Sequence, residues 1–219
     1  MPAPAQAARF SGPESPNQSP GSMQLALFDF DHTVTTCDTY ARFLRRVATP
    51  DRLAQAKWKV GPWLLGYRAG LVSAKAIRAR VTRLAFAGRD AAQIAAHGEP
   101  FAREVLPPLL RPEMMRRIAW HQAQGHAVAL VSGSLDLYLA PWCERHGLHL
   151  LCNRLEQDAA GRLTGRYDGT DIGPGKAGLV RSRFDLAGFE RIHAYGDSRE
   201  DKPMLALAHE RWYRGRRIA

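Results

Sequence analysis

Cysteine is scarce in this chain of 219 residues. The three present, Cys37, Cys143 and Cys152, form no C-x-x-C pair, and an odd, scattered set argues against a disulfide framework. That usage fits a reducing, cytoplasmic setting, with the thiols expected as buried structural groups. Long apolar runs are missing too. Residues 60–67 are uncharged, but a span needs about 20 apolar residues, so no transmembrane helix is expected. Residues 1–22 hold no apolar h-region and a single Arg. They read as a disordered tail rather than a secretory signal. The histidines are dispersed, without H-E-x-x-H or paired ligand spacing, which argues against a zinc site. No internal repeat is visible.

What is present is a globular composition. Hydrophobic residues make up 45%, enough for one domain with a real core or a core carrying an insert. The net charge of +10 comes from 31 basic and 21 acidic residues. With much of the excess scattered as single Arg residues it reads first as a solvated Arg-rich surface, and otherwise as favouring polyanions, acidic membrane surfaces or phosphorylated substrates.

The informative stretch is LALFDFDHTVTTCD, residues 25–38. A short apolar run, the pattern of a strand covered on both faces, leads into Asp29 and Asp31. In extended chain that i, i+2 spacing points both carboxyls to one side. Two acids so placed need a cation or a shared proton to coexist.

A long helical stretch follows. Tyr40, Phe43, Leu44 and Val47 fall on one face of a helix over 39–48. Further helices are expected over 51–60, 63–69, 73–86 and 90–106, with Gly61-Pro62 breaking the first two apart. After a helix over 112–124, the run AVALVS (127–132) reads as a second strand ending in Ser132, and Ser134 as the cap of a helix over 135–145. Residues 148–155 and 163–167 look like a hairpin about Ala160-Gly161. A helix is expected from 175 to 184, after a Gly-Pro-Gly entry. RIHAY (191–195) is a third core strand, and a last helix runs over 203–209. Strands alternating with helices predict an α/β fold: a Rossmann-like three-layer core around a parallel sheet. The gap from Asp29 to Ser132 is 132 − 29 = 103 positions, where a βαβ unit needs about 30 or more. The surplus predicts a helical cap over 40–106, inserted after the first strand of a core formed by 23–39 and 107–219. Ligands in open α/β sheets bind at the strand ends, below such an insert.

Four groups then stand at strand or helix ends: FDFDHT, VSGS, the lysine of GPGKAGLV, and GDSREDKPML. In this order they resemble the haloacid dehalogenase-like phosphohydrolases, specifically the phosphoserine-phosphatase-type branch (subfamily IB) with a helical cap. The hairpin RLEQDAAGRLTGRY resembles the same branch, and the match covers about residues 24–210. The resemblance implies that Asp29 is the nucleophile, forming an aspartyl-phosphate, and that Asp31 is the general acid and base. It implies Mg²⁺ held by Asp29, Asp197 and the Asp31 backbone carbonyl. Ser132, the Gly133 N–H and Lys176 would bind phosphate, Thr33 would hold the loop, and Asp201 would act from the outer shell. Asp38 occupies a position where phosphoserine phosphatases usually carry Glu. The pattern there looks more like the phosphatidylglycerophosphatase C-like members, and Asp38 is either a substrate contact or a helix cap.

Gly173, Gly175 and Gly178 spell G-x-G-x-x-G, but no strong strand precedes them and Pro174 interrupts them, so dinucleotide binding is not expected. Residues 57–71, KWKVGPWLLGYRAGL, combine aromatics with bases. They read as packing within the cap or as peripheral contact with an anionic membrane, which would bring in a lipid phosphate. The expected activity is a Mg²⁺-dependent phosphomonoester hydrolase for a small-molecule or lipid-headgroup phosphate. The alternatives are a phosphotransferase on the same phosphoaspartate and a non-catalytic basic nucleic-acid- or membrane-binding protein. No nucleic-acid partner is expected, and oligomeric state leaves no signal in the sequence.

Overall fold

The computed structural model describes residues 23–219, so the tail expected over 1–22 lies outside the described residues. Strand β1 (Gln24–Phe28) is followed by helices α1 (Thr39–Val47), α2 (Pro50–Arg68), α3 (Ala74–Phe86), α4 (Ala91–Ala95) and the single turn α5 (Gly98–Pro100). Then come α6 (Pro112–Ala123), β2 (Ala127–Leu135), α7 (Asp136–His146) and β3 (His149–Asn153). The hairpin β4 (Leu155–Gln157) and β5 (Leu163–Tyr167) precedes α8 (Ile172–Arg183) and β6 (Arg191–Gly196). The chain ends with α9 (Lys202–Leu205), β7 (Glu210–Tyr213) and β8 (Arg216–Ile218).

The main sheet has the order β3-β2-β1-β6-β7-β8, parallel except for the last pair. Strand alternation sorts the core onto its two faces. Ala26, Phe28, Val128, Leu130 and Tyr195 pack with Ile118 of α6 and Tyr138 and Trp142 of α7. Leu25, Leu27, Ala129, Val131, Ile192 and Ala194 pack with Val180 of α8 and Met204 of α9. This is the three-layer α/β fold with a mostly parallel sheet that the strand–helix alternation predicts. Leu25, Leu27 and Phe28 of β1 are fully buried, each contributing roughly 1.5–3 kcal/mol. That offsets the cost of ending the strand in a buried acid.

The expected face of α1 is buried, with Phe43 edge-on to Phe101 at 5.2 Å. Phe43, Phe86, Ile94 and Phe101 join the same buried cluster as Phe28 and Leu130, so the inserted helices pack onto the sheet's own core. The hairpin β4–β5 stands apart from the main sheet and binds the insert. Gly88 N–H donates to Leu163 O at 2.8 Å, and Leu163 N–H to Arg89 O at 2.8 Å.

Several boundaries depart from the sequence reading. Helix α2 runs through Gly61-Pro62 without a break. Pro62 removes one helix donor, but α3 braces this turn: Arg80 Nε donates to Lys59 O at 3.1 Å and its guanidinium lies 4.8 Å from the Trp63 ring. The helix expected over 90–106 is interrupted by a turn at Ala96-His97; Gly98, which restarts it, lies so close to α7 that an added Cβ would meet Leu137 O at 1.8 Å. Residues 148–155 split between two sheets. Helix α8 starts at Ile172, capped by Asp171, so Gly-Pro-Gly lies in its first turn. Helix α9 is shorter than expected. The basic tail forms β7 and β8, joined by Arg214-Gly215 at φ 54° and 72°. That is the two-residue turn in which both centres need positive φ.

On α2, Val60 is buried while Trp58 and Leu65 are exposed, as is Leu71 beyond it, so the stretch 57–71 packs within the insert only in part. Among the described residues no helix is long and apolar enough to cross a membrane. All three cysteines are free.

Candidate active site

Strands β1, β2 and β6 are adjacent and parallel, so their carboxyl ends open on one edge. Asp29 leaves β1 with its N–H donating to Tyr195 O at 2.9 Å, which fixes it beside the end of β6. Lys176, buried on α8, donates to Asp29 Oδ1 and, at 2.6 Å, to Asp201 Oδ1. The Asp201 Oδ2 accepts from Asp197 N at 3.1 Å and from Ser198 N and Oγ at 2.8 Å each. Asp201 is therefore a fully bonded anchor that holds both the lysine and the loop carrying Asp197. Gly196 permits this: a Cβ there would stand 2.6 Å from Asp201 Cβ. Gly196→Ala is expected to lower stability by about 1–3 kcal/mol through overpacking. It should also reduce turnover, because Asp201 must shift from Lys176; urea unfolding and phosphate-release rates on the same preparation check both, and an unaltered rate would dismiss the anchor.

Burial pushes the Asp29 carboxyl up to about 7; Lys176 opposes this, and the charges of Asp201 and Asp31 add to it. Asp197 is raised by burial and by Asp201. Asp201 is held below the usual range because Lys176 and the Ser198 donors outweigh its burial. Asp29, Asp197 and Asp201 each offer a carboxylate oxygen within 4.8 Å of one another. Both Asp201 oxygens are already bonded, so Asp29 and Asp197 are the pair whose carboxylates suit a hard, oxygen-seeking dication such as Mg²⁺.

The Asp31 side chain is not part of that trio. Its Oδ1 accepts from Thr39 N and Oγ1 at 2.6 Å each, and its Oδ2 from Ser134 Oγ at 2.5 Å. Burial raises its pKa against these bonds, the direction a general acid needs. Ser134 thus carries no helix cap: α7 starts without a side-chain cap bond, and the hydroxyl is spent on Asp31. Ser134 and Thr39 escape sequence reasoning because a hydroxyl beside a helix start looks like a cap. Ser132 Oγ accepts from Ser134 N at 3.1 Å, which orients the turn carrying Gly133.

Thr33 does not hold the loop through its side chain; its buried hydroxyl has no hydrogen-bond partner among the described residues. That task falls to Thr35, whose hydroxyl lies 3.1 Å from Phe30 O and 2.8 Å from Cys37 O. Asp38 caps α1, accepting from Ala41 N at 2.9 Å, while also lining the pocket. His32, at φ 60°, holds the turn between the acids and the insert in the left-handed region.

Two further positioning residues were not singled out in the sequence. Asn153 ends β3; its Nδ2 donates to Gly133 O at 2.7 Å and its Oδ1 accepts from Ile172 N at 2.9 Å, tying the phosphate-side turn to the lysine helix. A polar residue closing an apolar strand, as at Ser132, is the signal that could have found it. Arg78 of α3 donates to Asp171 at 3.0 Å and Glu200 at 2.7 Å, bridging the insert to the core across the pocket mouth. The pocket, about 230 Å³, contains Asp29, Asp31, Lys176 and Asp197.

A family model described as haloacid dehalogenase-like hydrolase matches residues 26–206. Protein CicA of Caulobacter vibrioides is 33% identical over 192 residues, 87% of this chain and 85% of its own. A phosphoserine phosphatase of Mycobacterium tuberculosis is 30% identical over 222 residues, 94% of this chain and 68% of its own. The crystal structure of a Bordetella pertussis protein of unknown function superposes with a TM-score of 0.73 at 29% identity, over 87% of this chain and 89% of that one. The chain belongs to the haloacid dehalogenase-like hydrolases, in their phosphoserine-phosphatase-type branch, and is an enzyme of the phosphatase class.

Proposed function

We propose that the protein is a Mg²⁺-dependent phosphomonoester hydrolase that works through an aspartyl-phosphate on Asp29 and acts on a small polar phosphate. The observation that carries this reading is Lys176 lodged between Asp29 and Asp201, with the Asp197 carboxylate beside them. Asp29 attacks phosphorus while the leaving oxygen departs with the proton held by Asp31. Asp31, now a carboxylate, takes a proton from the water that attacks the phosphoaspartate, releasing phosphate and restoring Asp29. Lys176 balances negative charge on Asp29 and the phosphoryl oxygens, and the Ser132 hydroxyl and Gly133 N–H are assigned to those oxygens. Magnesium, when bound by Asp29, Asp197 and the Asp31 carbonyl, would neutralise phosphoryl charge.

The inserted helices serve in this reading as the cap that selects the substrate. Asp38, Tyr40, Arg78 and Glu200 line the pocket, so both signs of charge face a small volume. A compact substrate with its own polar or charged groups fits such a wall. The exposed Trp58, Leu65 and Leu71 are what keep a lipid-headgroup phosphate within the substrate class.

The test is a phosphate-release screen with Mg²⁺ or chelator over phosphoserine, histidinol phosphate, sugar phosphates and phosphatidylglycerophosphate in vesicles. Mg²⁺-dependent release is expected from a small polar monoester. No release above the chelator blank from any of them would overturn the reading. Asp197→Ala should raise the Mg²⁺ needed for half-maximal rate and lower that rate; normal Mg²⁺ saturation would remove Asp197 from the ligand set.

A further inference from the structure

The histidines that look dispersed in the sequence converge in space. His121 lies in the last turn of α6, His126 in the turn before β2, and His193 in the middle of β6. One ring nitrogen from each lies within 4.8 Å of the others. His121 and His193 are buried and His126 is half-buried, leaving a route from the surface. His193 Nε2 lies 2.8 Å from the Gln24 amide oxygen, an acceptor, so it carries the ring proton. Its Nδ1 then presents a lone pair, and that buried atom has no hydrogen-bond partner among the described residues. A buried acceptor left without a donor is destabilising, and a bound cation would satisfy it. His121 Nδ1 stands 2.8 Å from His126 Nδ1, and its Nε2 is 3.0 Å from Tyr195 OH.

We propose that His121, His126 and His193 form a second metal site, separate from the acidic trio, which takes a divalent ion of the zinc class through three imidazole nitrogens. Imidazole suits zinc, copper and nickel, whereas Mg²⁺ prefers oxygen. Two outer contacts of the kind such ligands use are already in place: Gln24 on His193 and Tyr195 on His121. Burial lowers the pKa of His121 to about 3 and of His193 to about 4, so both rings are neutral in ordinary buffers. The Arg117 guanidinium, over the Trp120 and Trp212 rings, opposes a dication, while Glu210, paired with His193 across β6–β7, favours one. Three ligands leave a fourth position to solvent. The ion would pin the end of α6 to the strand whose end carries Asp197. The proposal does not depend on the reaction at Asp29.

The test uses untagged full-length protein in excess Mg²⁺, titrated with Zn²⁺ by calorimetry, with Co²⁺ as a spectroscopic substitute. One equivalent of Zn²⁺ should bind to wild type and to Asp29→Asn alike, and Co²⁺ should give the visible bands of nitrogen ligation. His126→Phe, which keeps a ring against His193, should abolish saturable binding, and Gln24→Leu should weaken it about 10-fold. Zn²⁺ binding that survives His126→Phe, or that disappears with Asp29→Asn, would overturn the site. So would a Co²⁺ spectrum without nitrogen-ligand bands, a measurement that needs no variant to fold.

Discussion

Asp29→Asn is expected to lower the rate of phosphate release by about 10⁴-fold or more while leaving the fold intact. The carboxamide has nearly the same shape, and the strand that carries it is fixed by fully buried neighbours and by the Asp29 N–H to Tyr195 bond. What it loses is a nucleophile: an amide oxygen does not form a stable bond to phosphorus. Lys176 keeps its second partner, Asp201, so the variant is not left with an unpaired buried cation. Steady-state rates with circular dichroism check the prediction. A folded variant retaining more than a few per cent of wild-type turnover would end Asp29's claim to be the nucleophile.

Lys176→Met should be the most destabilising single change at the site. It leaves Asp29 and Asp201 facing each other, buried, without the cation between them. Breaking a buried pair in this way costs about 3–5 kcal/mol, and loss of the positive charge should lower turnover about 10²–10³-fold. The cost depends on pH with a definite sign. In the wild type the Asp29 pKa is raised from 3.8 to about 7. Between those values the folded state binds more protons than the unfolded chain, so this group's contribution to stability falls as pH rises through that window. Asp201 behaves oppositely: its lowered pKa contributes stability above its ordinary value, and that is lost as pH falls. Removing Lys176 takes away the largest influence lowering each. The deficit against wild type should therefore widen as pH rises from about 4 to 8. Urea unfolding in chelator across that range measures it, and a deficit independent of pH would refute the electrostatic account.

The core strands were legible because each is a short apolar run ended by a polar residue, and burial on both faces imposes that composition locally. Asp29, Ser132 and Asp197 stood out for the same reason. The hairpin β7–β8 did not. Its strands, Glu210–Tyr213 and Arg216–Ile218, are short and rich in charged residues, and its turn is Arg-Gly in place of the Asn-Gly or Asp-Gly that signals such a turn. The passage of α2 through Gly61-Pro62 was hidden because the brace comes from Arg80 on another helix.

Composition and local pattern were enough to assign the α/β class, the inserted helices and the order of the chemical groups along the chain. Each of those is imposed on neighbouring residues by backbone geometry and burial. Which groups meet is another matter. The sheet order β3-β2-β1-β6 brings Asp29 to Asp197 and Lys176, turns Asp31 toward Ser134, and gathers His121, His126 and His193 behind the same strands. Contacts between residues so far apart in the chain depend on how strands pair and helices pack. No local run of residues encodes that pairing.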